Sequence, residues 1–425
     1  MKKVLLFLLI LLIAFGGYIY YDNYYNKGIP KLLTEEEKID IDELTIYGTH
    51  LNLHGKIIND NNLDLVLYDG NFKSYKINLS DNGFNMANEI NNGIYLEDIP
   101  VGKYYAFLRS TNKDENDKDI YKYYVLNNTT QYKETVYYTF SNVGNKIVIN
   151  TDDGYGTLTF DVSKNNDKDI YDVVIDAGHG GMDSGANKNG YREADFTMKL
   201  ANDLKIEMEE YGVKVKMTRT ENQLTLNEKL PDYGIHGRAV VNHEVHAKYV
   251  FSIHLNSNGS QNVHGLEVYT AANINYDFAK ELANNIVTNA NTAYSANKIN
   301  RMFDGIYTRT FTESEIANSK KEVEDKGCTA YNITNKANYY FMIRETGGIM
   351  TGAYVDSRNQ PKVLENPYYN SNVGSESYLL ELGYLTNNGD LNNINSNMAK
   401  YTDAIANTFK GIFVKDFNYN LNDEN

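Results

Sequence analysis

Near residue 165 the hydrophobic pattern of this chain changes period, and with it the kind of sheet the chain can build. From Leu44 to about Val162 short apolar runs alternate with polar residues and are divided by Asn, Asp and Gly, as in LTIYG, LDLVLYDG, KYYAFLR, ETVYYTF and KIVIN. Alternation with a period of two marks strands with one face in a core and one in water, and this spacing predicts an all-β, sandwich-like module. The corner GIYLEDIPVGKYYAFLR is similar to that of transthyretin-like surface sandwiches. After the polar bridge Asn165–Lys168 the strands YDVVID, YVFSIH and YLLEL become unbroken apolar runs, suited to a sheet covered on both faces. Between them the apolar spacing turns helical, with Phe196, Leu200, Leu204 and Met208 on one face, Asp195 as the expected cap and Gly212 as the stop. GLEVYT, YYFMIR and SYLLELG read as further strands, DFAKELANNIVTNA as a helix, and Met398, Tyr401, Ile405, Phe409 and Ile412 as one face of a last helix. Strands alternating with helices predict an α/β domain with a mainly parallel sheet flanked by helices.

The chain of 425 residues is long enough for two or three units. Residues 1–21 form a candidate membrane segment, because Val4–Tyr21 carries no charge and is long enough to cross a hydrocarbon core of about 30 Å. Lys2 and Lys3 before it and Asp22 after it orient the N-terminus to the cytoplasm and the rest outside. A single-pass signal anchor in the cell membrane is expected; a cleaved signal peptide, which would release the protein, is the rival. Residues 22–44 read as a linker, 45–164 as the β-module, and 165–425 as the catalytic domain, with a long insertion over about 294–376. The formal charge of −15 excludes the basic surface that nucleic-acid binding requires. The single cysteine, Cys328, excludes an internal disulfide and a cysteine-based metal site.

In parallel sheets, active sites gather outside the carboxyl ends of the strands. His179 follows VVID in the loop AGHGG, His254 ends YVFSIH, Glu381 ends YLLEL, and Glu193 lies just before the first helix. Taken singly, each is a plausible fold residue. Together, two histidines and a carboxylate make a catalytic zinc set, and a further carboxylate beside it would be a general base. Other histidines read blandly: His50 and His54 as partly exposed strand residues, and His236, His243 and His246 as a solvated helix face without the spacing of a metal motif. His264 opens a strand near the site.

These segments resemble the zinc-dependent N-acetylmuramoyl-L-alanine amidases of bacterial cell-wall turnover and sporulation. VVIDAGHGGMDSGANKNGYREADF resembles the first zinc motif of that family, with His179 and Glu193 as ligands. MTRTENQLTLNEK is similar to its next segment, with Arg219. RAVVNHEVHAKYVFSIHLNS resembles the second motif, with Arg238, Asn242, the ligand His254 and Asn256. YLLELGYLTNNGDLNNI resembles the closing motif, with catalytic Glu381 and Asn387. The resemblance implies Zn2+ as cofactor, peptidoglycan as substrate, and hydrolysis of the amide between N-acetylmuramic acid and L-alanine. It departs from the family at Glu228–Lys229, where a second Arg is usual, and at Lys248, where an acidic residue is usual. Another zinc peptidase of the stem peptide, or a degenerate wall-binding scaffold, remain the competing readings. Glu376 is the alternative base. Arg344 is a candidate clamp for a substrate carboxylate, with an internal ion pair as its rival. Asn256 is a candidate substrate contact. Gly347–Tyr354 reads either as a lid over the groove or as a peripheral decoration. The β-module reads as a spacer or a surface for a partner of unknown identity.

Overall fold

The computed structural model describes residues 37–422 apart from breaks at 57–59, 61, 70–71, 131, 151–156, 221–237, 240, 326–334, 336 and 347–373. The apolar run 4–21, Cys328 and the proposed lid Gly347–Tyr354 therefore lie outside the described residues. Among those described, no helix is long and apolar enough to cross a membrane.

The β-module comprises β1 (Glu37–Tyr47), β2 (His50–Lys56), β3 (Leu63–Tyr68), β4 (Phe72–Lys76), β5 (Asn78–Ser80), β6 (Gly83–Asn85), β7 (Ile94–Tyr95), β8 (Gly102–Lys113), β9 (Asp119–Asn128), β10 (Glu134–Tyr138), β11 (Asn145–Asn150) and β12 (Thr159–Lys164). All twelve join one hydrogen-bonded network, antiparallel except where β1 runs parallel to β9. Their inward residues, among them Ile41, Leu53, Leu65, Leu108 and Phe160, form one core. The expected linker over 22–44 is corrected at its end. β1 starts at Glu37, because Ile39 and Ile41 alternate into that core while charged neighbours stay at the rim.

The second sheet has seven strands in the order β16–β13–β17–β21–β18–β20–β19. These are β13 (Val173–Ala177), β16 (Val215–Met217), β17 (Tyr249–Asn256), β18 (Glu267–Tyr269), β19 (Arg301–Phe303), β20 (Ile306–Tyr307) and β21 (Glu376–Tyr384). β14 (Asn187–Lys188) and β15 (Tyr191–Arg192) form a small separate hairpin. The four strands β16, β13, β17 and β21 are parallel, and β18 is antiparallel to β21. Helices α1 (Glu193–Glu210), α2 (Val241–Glu244), α3 (Asp277–Asn289), α4 (Glu313–Asp325), α5 (Phe341–Thr346) and α6 (Asn388–Asn422) accompany it. Phe196, Leu200, Leu204 and Met208 of α1 pack into the same core as Val173, Phe251, Leu380 and Phe409. Asp195 does not cap α1. The helix starts two residues earlier, at Glu193, and Asp195 serves in its first turn, where acidic side chains meet the positive end of the helix dipole.

Two local expectations are corrected. YYFMIR is not a strand, since Phe341–Thr346 is helical. The Asn338 side chain accepts the Tyr340 amide at its start, and Met342 and Ile343 fill two different clusters. A short apolar run fits either period until its neighbours are known. His243 is not solvated but 2% exposed, and His246 packs on Tyr138 of β10 at 4.7 Å. The β-module covers the end of the parallel sheet that a lone catalytic domain would leave in water. The two units are joined by hydrogen bonds from the Ser141 amide and hydroxyl to Asp172 (2.7 and 2.6 Å), from Ile90 to Asn273 (3.0 Å) and from Gly48 to Gly374 (3.0 Å).

Candidate metal centre

β13 ends in a turn whose backbone is left-handed at His179 (φ 60°), Gly180 (120°) and Gly181 (57°). This conformation is costly for a histidine and is retained only where surrounding contacts enforce it. Here His179 Nδ1 lies 2.7 Å from Asp183 Oδ2, and Arg238 donates to the His179 carbonyl at 2.7 Å. Gly178 has to be glycine for a different reason. A Cβ there would come within 2.4 Å of the His254 ring.

Three side chains from three elements converge beyond the strand ends. Glu193, the first residue of α1, is 3% exposed. Its Oε1 lies 3.1 Å from His179 Nε2 and 3.1 Å from His254 Nδ1. Backbone amides of Leu255 and Ala186 donate to its two oxygens at 2.9 Å each. Burial alone would raise its proton affinity, but hydrogen bonds to His179 and His254 and their charges hold the carboxyl well below the usual range. His179 is pushed up to about 9; burial opposes this, and Glu193 and then Asp183 outweigh it. One ligand atom from each of the three residues lies within 4.8 Å of the others.

This set fits a divalent metal. A neutral His179 that donates from Nδ1 to Asp183 turns a bare lone pair at Nε2 toward the Glu193 carboxylate. A proton or a metal cation therefore has to sit between that nitrogen and the carboxylate, and a divalent cation takes the proton's place when it binds. Two imidazoles and a carboxylate are the ligand types zinc takes when a position stays open for water.

Glu381 lies in β21, three residues before its end, and is the Cα register partner of His254 on β17. Its Oε2 is sealed from solvent with no hydrogen-bond partner among the described residues. Burial first, then Glu193 and Glu267, raise its proton affinity well above the ordinary carboxylate value, and His179 partly offsets this. A half-buried carboxylate with one sealed, unpartnered oxygen beside a metal-ligand set is placed to exchange a proton. The alternative base Glu376 begins the same strand, five residues and so about 16 Å away. There it accepts the Tyr378 hydroxyl and lies beside Gly48 of the β-module.

The remaining candidates serve the frame. Arg219 is 1% exposed and ties the His179 turn to α1 through the carbonyls of Ala177, Gly178 and Ala194. Asn242 donates to Ser375, and the Asp390 amide donates to Asn387 at the start of α6. Asn256 donates to Glu267 at 3.2 Å. Of the two readings of Arg344, the contacts described favour an internal role over a substrate clamp. Its guanidinium is buried, stacks on Phe311 and donates to the carbonyls of Asn338 and Tyr339, so it braces its own loop. His264 is exposed. Asp183 and Glu267 were not singled out from sequence; each lies inside a motif that was, GHGGMDSG and HGLEVYT.

A family model described as N-acetylmuramoyl-L-alanine amidase matches residues 173–411, more than half of the chain. The chain belongs to this amidase family. The match spans all of the metal-centre residues and Glu381, and begins after the β-module. A probable cell wall amidase, LytH of Staphylococcus aureus, is 35% identical over 100 residues, which are 23% of this chain and 30% of that protein. The chain thus spans less than a third of the curated relative it matches. Among solved structures, the amidase AmiC2 of Nostoc punctiforme is similar at 23% identity and a TM-score of 0.38, over 58% of this chain and 99% of that one. The catalytic domain of CwlV from Bacillus (Paenibacillus) polymyxa is similar at 19% identity and a TM-score of 0.36, over 57% and 98%.

Proposed function

We propose that the chain hydrolyses the amide between N-acetylmuramic acid and the L-alanine of the peptidoglycan stem. The observation that carries this is the convergence of His179, Glu193 and His254 beside a carboxylate with a sealed, unpartnered oxygen, inside the segment that matches the amidase family. His179, Glu193 and His254 would hold Zn2+. When bound, zinc polarises a carbonyl and lowers the pKa of water toward neutrality.

Everything else falls to the protein's own side chains. Asp183 fixes the tautomer and ring orientation of His179. The two backbone amides on Glu193 hold its oxygens in place, and His179 and His254 keep it ionised. Glu381 takes the proton of the attacking water and returns it to the amine as the C–N bond breaks, a role its unpartnered Oε2 leaves open. The apolar run 4–21 supports anchoring to the outer face of the cell membrane, where this substrate lies.

The test is digestion of purified peptidoglycan by the full-length, detergent-solubilised chain, with and without chelator. Stem peptides with a free L-alanine N-terminus, released only in the metal-replete sample, are the expected product. Cleavage within the stem peptide would make the protein a peptidase instead. No cleavage by the zinc-loaded chain would leave a wall-binding scaffold.

A further inference from the structure

A second carboxylate is enclosed at the same end of the sheet. Glu267 in β18 is fully buried, and its Cα is the register partner of Glu381 in β21. Its two oxygens receive four hydrogen bonds. Tyr269 (2.7 Å) and Asn256 (3.2 Å) donate to Oε2, and Ser295 (2.7 Å) and Tyr384 (2.6 Å) donate to Oε1. These donors come from four places. Asn256 ends β17, two residues past His254. Tyr269 lies in β18, Ser295 follows α3, and Tyr384 ends β21, three residues past Glu381. Tyr269 also bonds to Tyr340, which the long insertion brings against it with rings 4.6 Å apart.

The contrast between the two register partners is informative. A buried carboxylate accepts only, and four donors fill most of its lone-pair sites. Glu267 is thus saturated and cannot serve as an acid or base without breaking this set, whereas Glu381 keeps an oxygen without a partner. The side chain that must be free to move a proton has no hydrogen bond at that oxygen to hold it, so its position depends on the strand end that carries it. Catalytic groups have to be held to within about half an ångström, and a shift of about 1 Å can cost 10²-fold in rate.

We infer that Glu267 is a positioning residue: its four hydrogen bonds tie the ends of β17 and β21 together and so hold Glu381 against the His179–Glu193–His254 cluster. The catalytic part of this inference rests on the amidase reading; the structural part does not. The ligands themselves are held by other contacts, Asp183 to His179 and the Leu255 and Ala186 amides to Glu193. Loss of Glu267 should therefore reach the base and spare the metal.

The experiment compares Glu267→Ala with Glu267→Gln, which keeps the length and one acceptor oxygen, in the full-length chain. The readouts are kcat and KM on a soluble muramoyl-peptide at saturating zinc, zinc affinity by chelator competition, and amide hydrogen exchange of the segment 378–386. In Glu267→Ala, kcat is expected to fall about 10-fold or more, with KM and zinc affinity within about 2-fold of the parent. Exchange in 378–386 should quicken while that of β13 stays unchanged, and Glu267→Gln should recover part of both effects. A parental kcat in Glu267→Ala overturns the inference. So does a fall in activity that only tracks lost zinc. If Glu267→Ala does not fold, the pair Ser295→Ala and Tyr384→Phe, each removing one bond to Oε1, is read the same way, and a parental kcat in both overturns it. If the zinc-loaded parent cleaves no muramoyl amide, the amidase reading fails. The exchange comparison then still decides whether Glu267 ties the strand ends, and unchanged exchange rejects it.

Discussion

At the scale of single residues, the metal centre depends on who donates to whom and on where a Cβ has no room. His179→Ala is expected to lose zinc and activity together, since three protein ligands are the usual minimum of a catalytic zinc site; metal analysis of the purified variant checks this, and full occupancy would refute the ligand assignment. Gly178→Ala should resemble it without touching a ligand, because the added methyl would meet the His254 ring at 2.4–2.7 Å and displace it. The expected result is a folded protein with markedly reduced zinc affinity, measured by circular dichroism and chelator competition. Glu381→Ala should keep fold and metal and lose at least ~10²-fold in rate, the usual scale of general acid–base catalysis. If Glu376→Ala is the inactive variant instead, the base has been placed at the wrong end of β21.

At the scale of elements, α1 and α6 pack side by side behind the sheet, and an acidic contact lies between them. Glu207 of α1 accepts a hydrogen bond from Thr402 of α6 at 2.8 Å. Partial burial first, and then Asp403 and Asp203 nearby, push its proton affinity up to about 7, outweighing the Thr402 bond. A carboxyl whose folded value is raised favours the folded state fully below its ordinary value of 4.5 and loses that contribution as pH rises through about 7. Glu207→Gln, which carries no charge at any pH, should therefore match the parent in stability near pH 4.5 and exceed it above pH 7. Urea midpoints measured across that range should diverge between those limits and run parallel beyond them; a constant offset would show that charge is not the cause. The effect should be modest, because Glu207 is only partly buried and solvent screens it.

At the scale of the whole molecule, the β-module and the catalytic unit share buried charge. Lys248, 1% exposed, lies 3.8 Å from Asp172, which also accepts the Ser141 amide and hydroxyl of the β-module and the Lys214 amide. The ammonium sits over the rings of Tyr137 and Phe140. Asp172→Ala would leave the ammonium buried with less compensation and is expected to cost about 3–5 kcal/mol, whereas Lys248→Met, of similar volume and no charge, should be far milder. Denaturant melts of both variants test the order, and a Lys248→Met variant as damaged as Asp172→Ala would refute it.

Much of this was legible in the chain itself. The switch from alternating to unbroken apolar strands separates a half-exposed sheet from one covered on both faces, and it is a local property of each segment. The placement of His179 just past β13, and of His254 and Glu381 near the carboxyl ends of β17 and β21, follows from the same reading, because strand polarity and connection rules put those ends on one side. The rest was set by contacts between segments far apart in sequence. Nothing local marks Lys248 as buried or His246 as packed; Tyr137, Phe140 and Tyr138 of the β-module cover them. Nothing in the apolar run itself makes Phe341–Thr346 a helix; Met342 and Ile343 meet two clusters that distant segments supply. The saturation of Glu267 and the unpartnered oxygen of Glu381 arise only when β18 and β21 pair and Asn256, Ser295 and Tyr384 arrive from three directions. Hydrophobic period is written along a segment, while the partner of a buried polar group comes from wherever the fold delivers it.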